Sequence, residues 1–210
     1  MSKFEQRTIP AESLEVRSEE KGSKISGYGI LYGRETLIWE DLYEIIHPGA
    51  ASKILESNPD IRSAFNHDRN HILGRTKSGT LKLQEFKGGV RYTVDPPEAQ
   101  WAKDLMQSIE RRDIDGSSFT FAVDPQNEKV TKRDDGSYLR EIFEFKAIGE
   151  VGPVSYPAYE GTSANVRSAK DIYDSYTADL RAQEEAAEIA ERQRALSLRK
   201  KHLDLLEKEI

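Results

Sequence analysis

Asp113-Ile114-Asp115-Gly116-Ser117-Ser118-Phe119-Thr120-Phe121-Ala122-Val123 is the stretch that decides how the rest of this chain is read. After a turn at Asp115-Gly116 the residues alternate, with Ser118, Thr120 and Ala122 on one side and Phe119, Phe121 and Val123 on the other. Period-two alternation rich in aromatics is the mark of a β-strand. The pattern sets a hydroxyl at the first residues of a strand, directly after a glycine turn. Serine beside Asp-Gly is also ordinary turn chemistry, so the meaning of Ser117-Ser118 depends on what the remaining chain supplies.

Downstream, Val130 to Arg133 and Tyr138 to Phe145 flank Asp134-Asp135-Gly136 as a hairpin, and Ala147 to Val154 reads as a buried strand stopped by Tyr156-Pro157-Ala158-Tyr159. Upstream, Pro96-Pro97-Glu98 opens a helix, since proline suits a first turn, and Trp101, Leu105, Met106 and Ile109 fall at helical spacing as core. Thr80 to Phe86 and Val90 to Val94 alternate cleanly about Lys87-Gly88-Gly89, a second hairpin. Asp60 to Asp68 is a strand running into a polar corner, Tyr43 to Ile46 a strand ending at Pro48-Gly49, and Ala51 to Leu55 a short helix. Ile25 to Gly33, where large residues alternate with glycines, is a curved or bulged strand. Residues 1–22 hold one short edge strand around Ser13 to Arg17. The expected fold is mixed α/β and mainly antiparallel β, a partly closed barrel with surrounding helices, in residues 23–167.

Residues 168–210 differ. Glycine and proline vanish, Ala, Glu, Arg, Lys and Leu dominate, and Ala182, Ile189, Leu196, Leu203 and Ile210 recur every seven residues. This is a charged helix with a narrow apolar stripe, which needs a partner surface for stability and suits a scaffold-like or docking arm.

Composition narrows the function. The chain has 210 residues, 32% of them charged, and a net charge of −6, which argues against a nucleic-acid role resting on concentrated Lys and Arg. There is no cysteine, so a disulfide framework, a thiolate zinc site and a cysteine nucleophile are excluded together. No apolar run approaches the ~20 residues that span a bilayer. The polar Met1 to Glu20 segment shows no secretory signal, no membrane partner is expected, and the absence of cysteine is compatible with a reducing cytoplasm.

A hydroxyl nucleophile needs a base, and the base needs an acceptor on its other nitrogen. Of the four histidines, His202 lies in the charged helix and His47 precedes Pro48-Gly49, whereas His67 ends a strand in a polar cluster. An imidazole held rigidly there can take a proton at neutral pH. Glu150, the one acid in an otherwise apolar strand, is the leading candidate for the third member, because a buried charge demands a partner. Glu144, at an even spacing from it, is the alternative. A rival set joins His67, Asp68 and His71 as metal ligands, but Asn66, Asp68 and Asn70 favour turn over helix and no other histidine or acidic cluster completes the site. Neither a metal nor a cofactor is expected.

Five segments then resemble one family. Phe65-Asn66-His67-Asp68 with Leu73-Gly74-Arg75 resembles a segment of tailed-bacteriophage prohead maturation proteases; Gly116-Ser117-Ser118-Phe119-Thr120-Phe121 is similar to their nucleophile strand; Glu150-Val151-Gly152-Pro153-Val154-Ser155-Tyr156-Pro157-Ala158-Tyr159 is similar to their acidic signature. Ile25 to Gly29 and His47 to Ala50 match opening segments, so the resemblance runs in order from Leu14 to Arg167. It implies a fold like herpesvirus assemblin and a serine endopeptidase acting inside the immature capsid. Ser118 would be the nucleophile, His67 the general base and Glu150 the acid that orients it. Scaffold protein, major capsid protein and the protease itself are the implied substrates, with self-association among the expected contacts. Two positions depart from the pattern: Gly152 stands where the family has serine, and Ser117 where methionine is common. Which backbone amides would stabilise an oxyanion is open, with Gly149 to Gly152 considered. From a different class, a non-enzymatic assembly protein using the C-terminal helix is the competing reading.

Overall fold

The computed structural model describes residues 4–9, 14–19 and 22–155, and isolated helical positions between 170 and 197. The chain divides into two units, Met1–Ala169 and Lys170–Ile210. In the first unit the strands are β1 (Glu5–Ile9), β2 (Glu15–Glu19), β3 (Gly22–Leu31), β4 (Thr36–Trp39), β5 (Leu42–Ile46), β6 (Arg62–Ala64), β7 (Ile72–Arg75), β8 (Leu81–Phe86), β9 (Gly89–Val94), β10 (Gly116–Ala122), β11 (Glu128–Lys132), β12 (Tyr138–Ile142) and β13 (Ala147–Val154). Among its described residues are also two short α-helices, α1 (Ser52–Glu56) and α2 (Gln100–Glu110).

The strands form three sheets, not a barrel. A five-stranded sheet runs β1-β10-β13-β6-β7, and two four-stranded sheets run β11-β12-β5-β4 and β2-β3-β9-β8. Pairing is antiparallel except for β5 with β12 and β6 with β13. The expected closure fails because β3 meets the five-stranded sheet through its face, without continuing the ladder. Gly27 makes this approach possible: a Cβ there would lie 3.0 Å from Ser117 Oγ and 3.1 Å from the Tyr92 ring. Side chains fill the space between the sheets. Among them Ile25, Ile30, Tyr92, Val94, Phe119, Phe121 and Val151 are almost wholly excluded from solvent. Phe121 stacks on Phe119 with centroids 5.1 Å apart and meets Phe145 edge-on at 5.0 Å, pairings that add about 0.5–1.5 kcal/mol beyond burial.

Local patterns explain the elements. Both hairpins, β8–β9 and β11–β12, form with their expected turns. α2 buries Ala102, Leu105 and Ile109 along one face and leaves Trp101 and Met106 half-buried; the prolines precede it rather than open it. The strand expected from Asp60 to Asp68 is only three residues long and gives way to a 3-10 turn at Phe65–His67. Glu144 falls outside β13, which starts at Ala147. β1 was not foreseen, since Glu-Gln-Arg-Thr-Ile shows no apolar alternation; it exists because it pairs with β10 along its whole length.

In the second unit, Ile189 and Leu196 of the apolar stripe are 58% and 60% exposed. Ala182, His202, Leu203 and Ile210 lie outside the described residues. Among the described residues no helix is long and apolar enough to cross a membrane.

Candidate active site

β10 and β13 are adjacent and antiparallel, with Ser118 opposite Gly152 and Thr120 opposite Glu150. Ser118 and Glu150 therefore share one face of the five-stranded sheet, because residues two apart along a strand point the same way. β6 runs parallel on the far side of β13, and the 3-10 turn that follows it carries His67 back over this face.

The turn is built for that purpose. Asn66 and His67 both adopt left-handed backbone, with φ of 54° and 56°. Asparagine tolerates this conformation; histidine there is strained, and strain of this kind persists only where the surroundings enforce it. Asn66 supplies the enforcement: its Nδ2 donates to Ser155 Oγ at 3.0 Å and its Oδ1 accepts from the Ser155 amide at 2.8 Å. Beyond the turn, Asp68 Oδ1 accepts from the Asn70 amide, and Phe65 N donates to His71 O. So the end of β13 and the 65–71 loop clamp His67 from two sides.

The resulting geometry is linear. His67 Nδ1 lies 2.6 Å from Glu150 Oε1, and His67 Nε2 lies 2.8 Å from Ser118 Oγ. A carboxylate only accepts, so Nδ1 is the donor in that pair and Nε2 presents its lone pair to the hydroxyl. Glu150 and His67 are each about one-fifth exposed, whereas Ser118 has no accessible surface. Ser118 Oγ also donates to the Arg7 carbonyl of β1 at 2.9 Å.

The two serines divide by strand alternation. Ser117 faces the other side, where its Oγ lies 3.0 Å from the buried Tyr92 hydroxyl; burial pushes the Tyr92 phenol well above its ordinary range. Ser117→Ala should therefore leave reactivity at Ser118 within about twofold. Stability should fall by about 1–3 kcal/mol, the cost of leaving a buried hydroxyl without its partner. Denaturant melts and probe labelling of the same variant check both halves.

Gly152 explains one departure from the family pattern. A Cβ at this position would stand 2.2 Å from the carbonyl oxygen of Ala64, which is backbone and cannot swing aside. Gly152→Ser is expected to push the start of the His67 turn away by about 1 Å. A displacement of that size costs roughly 10²-fold in rate, measurable as kcat/KM against wild type.

The remaining candidates lie elsewhere. Glu144 accepts from Lys53 Nζ at 2.7 Å and from Asn127, not from His67. His71 pairs with Asp68 at 2.7 Å and packs edge-on against Trp101, so His67, Asp68 and His71 do not converge. Among the described residues no group of three or more His, Asp or Glu is placed to hold a metal ion. His47 pairs with Glu141 at 3.0 Å and stacks on Phe143. Gly149 to Gly152 run inside β13, between β10 and β6.

One cluster escaped sequence reasoning. Arg140 on β12, 1% exposed, donates to Glu44 of β5 and to Glu5 of β1 at 2.7 Å, and also holds Glu128 of β11. Arg7 grips the same Glu44 with two bonds of 2.7 Å and lies over the Phe121 ring. Burial alone would raise the Glu44 carboxyl, but the charges of Arg7 and Arg140 and their hydrogen bonds bring it below the usual carboxylate value. The available signal was a charge inside an apolar strand, at Tyr43-Glu44-Ile45 and again at Leu139-Arg140.

A family model described as caudovirus prohead serine protease matches residues 12–175. The structure of the bacteriophage T4 capsid assembly protease, gp21, aligns over 72% of this chain and 96% of its own, at 13% identity and a TM-score of 0.42. No curated protein matches the chain.

Proposed function

The chain belongs to the caudovirus prohead serine protease family, and from that membership we propose that it is a Ser-His-Glu endopeptidase. In this reading it cleaves scaffold and capsid proteins, and itself, inside the immature capsid. The observation that carries the reading is the unbroken line of hydrogen-bond distances from Glu150 through His67 to Ser118.

Each group has a defined task. Ser118 Oγ attacks the peptide carbonyl carbon; an O–C bond forms and the hydroxyl proton passes to His67 Nε2. The same nitrogen then gives that proton to the leaving amine as the C–N bond breaks, leaving an acyl-serine. Water enters, loses a proton to Nε2, and releases the new carboxyl end and the free hydroxyl. Glu150 keeps Nδ1–H fixed, so that Nε2 is always the basic nitrogen, and offsets the positive charge that the ring acquires. The Asn66–Ser155 pair holds the ring at its station.

A fluorophosphonate probe tests this. Intact-mass and peptide analysis should find one adduct, on Ser118, and none in His67→Ala. An adduct on Ser117, or no adduct together with no hydrolysis of a capsid or scaffold substrate, would remove the assignment.

A further inference from the structure

β1 lies where an extended peptide must lie to meet Ser118. Of the two edges of β10, one is taken by β13 and the other by β1. Thr8 stands opposite Ser118, and the carbonyl of Arg7 lies 2.9 Å from its Oγ. A serine hydroxyl has one proton, and a carbonyl can only accept. The Arg7 carbonyl and His67 Nε2 therefore compete for the same proton, and Ser118, wholly covered, cannot reach another carbonyl carbon while β1 is in place.

The other face of β1 is read just as closely. Glu5 and Arg7, two apart, both point into the cluster. Arg7 Nε and Nη2 take both oxygens of Glu44, while Glu5 accepts from Arg140. Without β1, Glu44 keeps Arg140 on Oε2 but loses the Arg7 guanidinium from both of its oxygens, and a buried carboxylate so stripped calls for a positive side chain. Bidentate guanidinium–carboxylate pairing adds geometric choice to that charge.

Resting on the protease reading above, we propose that the outer edge of β10 is the groove in which substrate binds as an added antiparallel strand. Glu44 selects a basic side chain at the residue whose carbonyl meets Ser118, and β1 holds the groove in cis until substrate displaces it. Strand addition supplies main-chain hydrogen bonds for affinity and alternate side chains for specificity. β1 suits the part of occupant: it is five residues long, at a sheet edge, and its departure leaves the β10–β13 ladder intact.

The test uses the full chain, which contains no cysteine. Gln6 and Thr120 are direct partners across β1 and β10, so Gln6→Cys with Thr120→Cys allows a disulfide that locks β1 in place. Fluorophosphonate labelling of Ser118 is followed by intact mass. The oxidised form should react at least about tenfold more slowly than the reduced form, since reactivity scales with the fraction of competent molecules. Reduction should restore the rate. Equal rates in the two forms overturn the proposal.

A second arm needs no variant. The peptide Phe-Glu-Gln-Arg-Thr-Ile, added to wild type, should slow labelling, and the same peptide with glutamate in place of arginine should not. Equal inhibition, or none by either, overturns the selection by Glu44. Wild type that neither labels nor hydrolyses a capsid or scaffold substrate sinks the protease reading itself, whereas labelling indifferent to the disulfide sinks only the present inference.

Discussion

Ser118→Ala is expected to lower peptide hydrolysis by roughly 10³- to 10⁶-fold, the range in which nucleophile removal leaves only binding and oxyanion stabilisation. The substitution deletes one oxygen whose partners are His67 Nε2 and the Arg7 carbonyl, and an alanine fits the space without strain. Its thermal midpoint should stay within a few degrees of wild type. His67→Ala should lose activity to a similar extent, and the double variant should be scarcely worse than either single one. Groups that act as a unit fail together, so near-additive losses would show that the two residues act separately. Hydrolysis of a capsid or scaffold substrate at an undiminished rate by Ser118→Ala would end the assignment.

Arg140→Met is expected to produce the largest loss of stability. Arg140 is the shared donor for Glu5, Glu44 and Glu128 and is almost fully buried. Removing one partner of a buried ionic group leaves uncompensated charge and costs about 3–5 kcal/mol. For a domain of this size that is a fall of roughly 10 °C in thermal midpoint, at about 2–4 °C per kcal/mol. Arg7 remains for Glu44 and Glu5.

The pH dependence distinguishes this cause from simple loss of packing. Glu44 has a folded-state value below the ordinary 4.5. Its contribution to wild-type stability is therefore complete above 4.5 and is lost as pH falls through the lower folded-state value. In Arg140→Met the cluster has lost the Arg140 cation and keeps Arg7, so protonation of its carboxylates relieves the variant. The stability gap between wild type and variant should narrow from pH 7 to pH 4, read from denaturant midpoints. A gap independent of pH would mean that the guanidinium acts through its volume alone.

Both expectations rest on contacts of very different legibility. The hairpins β8–β9 and β11–β12, helix α2 and strand β10 follow from neighbours in the chain. Period-two alternation, a glycine at the turn and apolar residues at helical spacing act over a few residues, so they can be read directly from the order of amino acids. Residue types suited to acyl transfer were legible for the same reason: Ser118 at a strand start, His67 in a polar corner, Glu150 alone in an apolar strand. Gly152, a departure when the chain is compared with a family pattern, becomes intelligible only beside the Ala64 carbonyl.

Tertiary structure decided the rest, because the deciding partners are far apart in sequence. Ser118 and His67 are separated by 51 positions, His67 and Glu150 by 83, Arg140 and Glu5 by 135. No local preference encodes such meetings. Glu5-Gln6-Arg7-Thr8-Ile9 has no apolar period of its own and becomes a strand only because β10 offers an open edge and Glu44 and Arg140 take its charges. Whether the sheets close into a barrel was likewise decided by face-to-face packing at Gly27 rather than by any strand's own pattern. Local order thus specified the pieces and their chemistry, while desolvation and hydrogen bonding between distant segments determined how those pieces meet around Ser118.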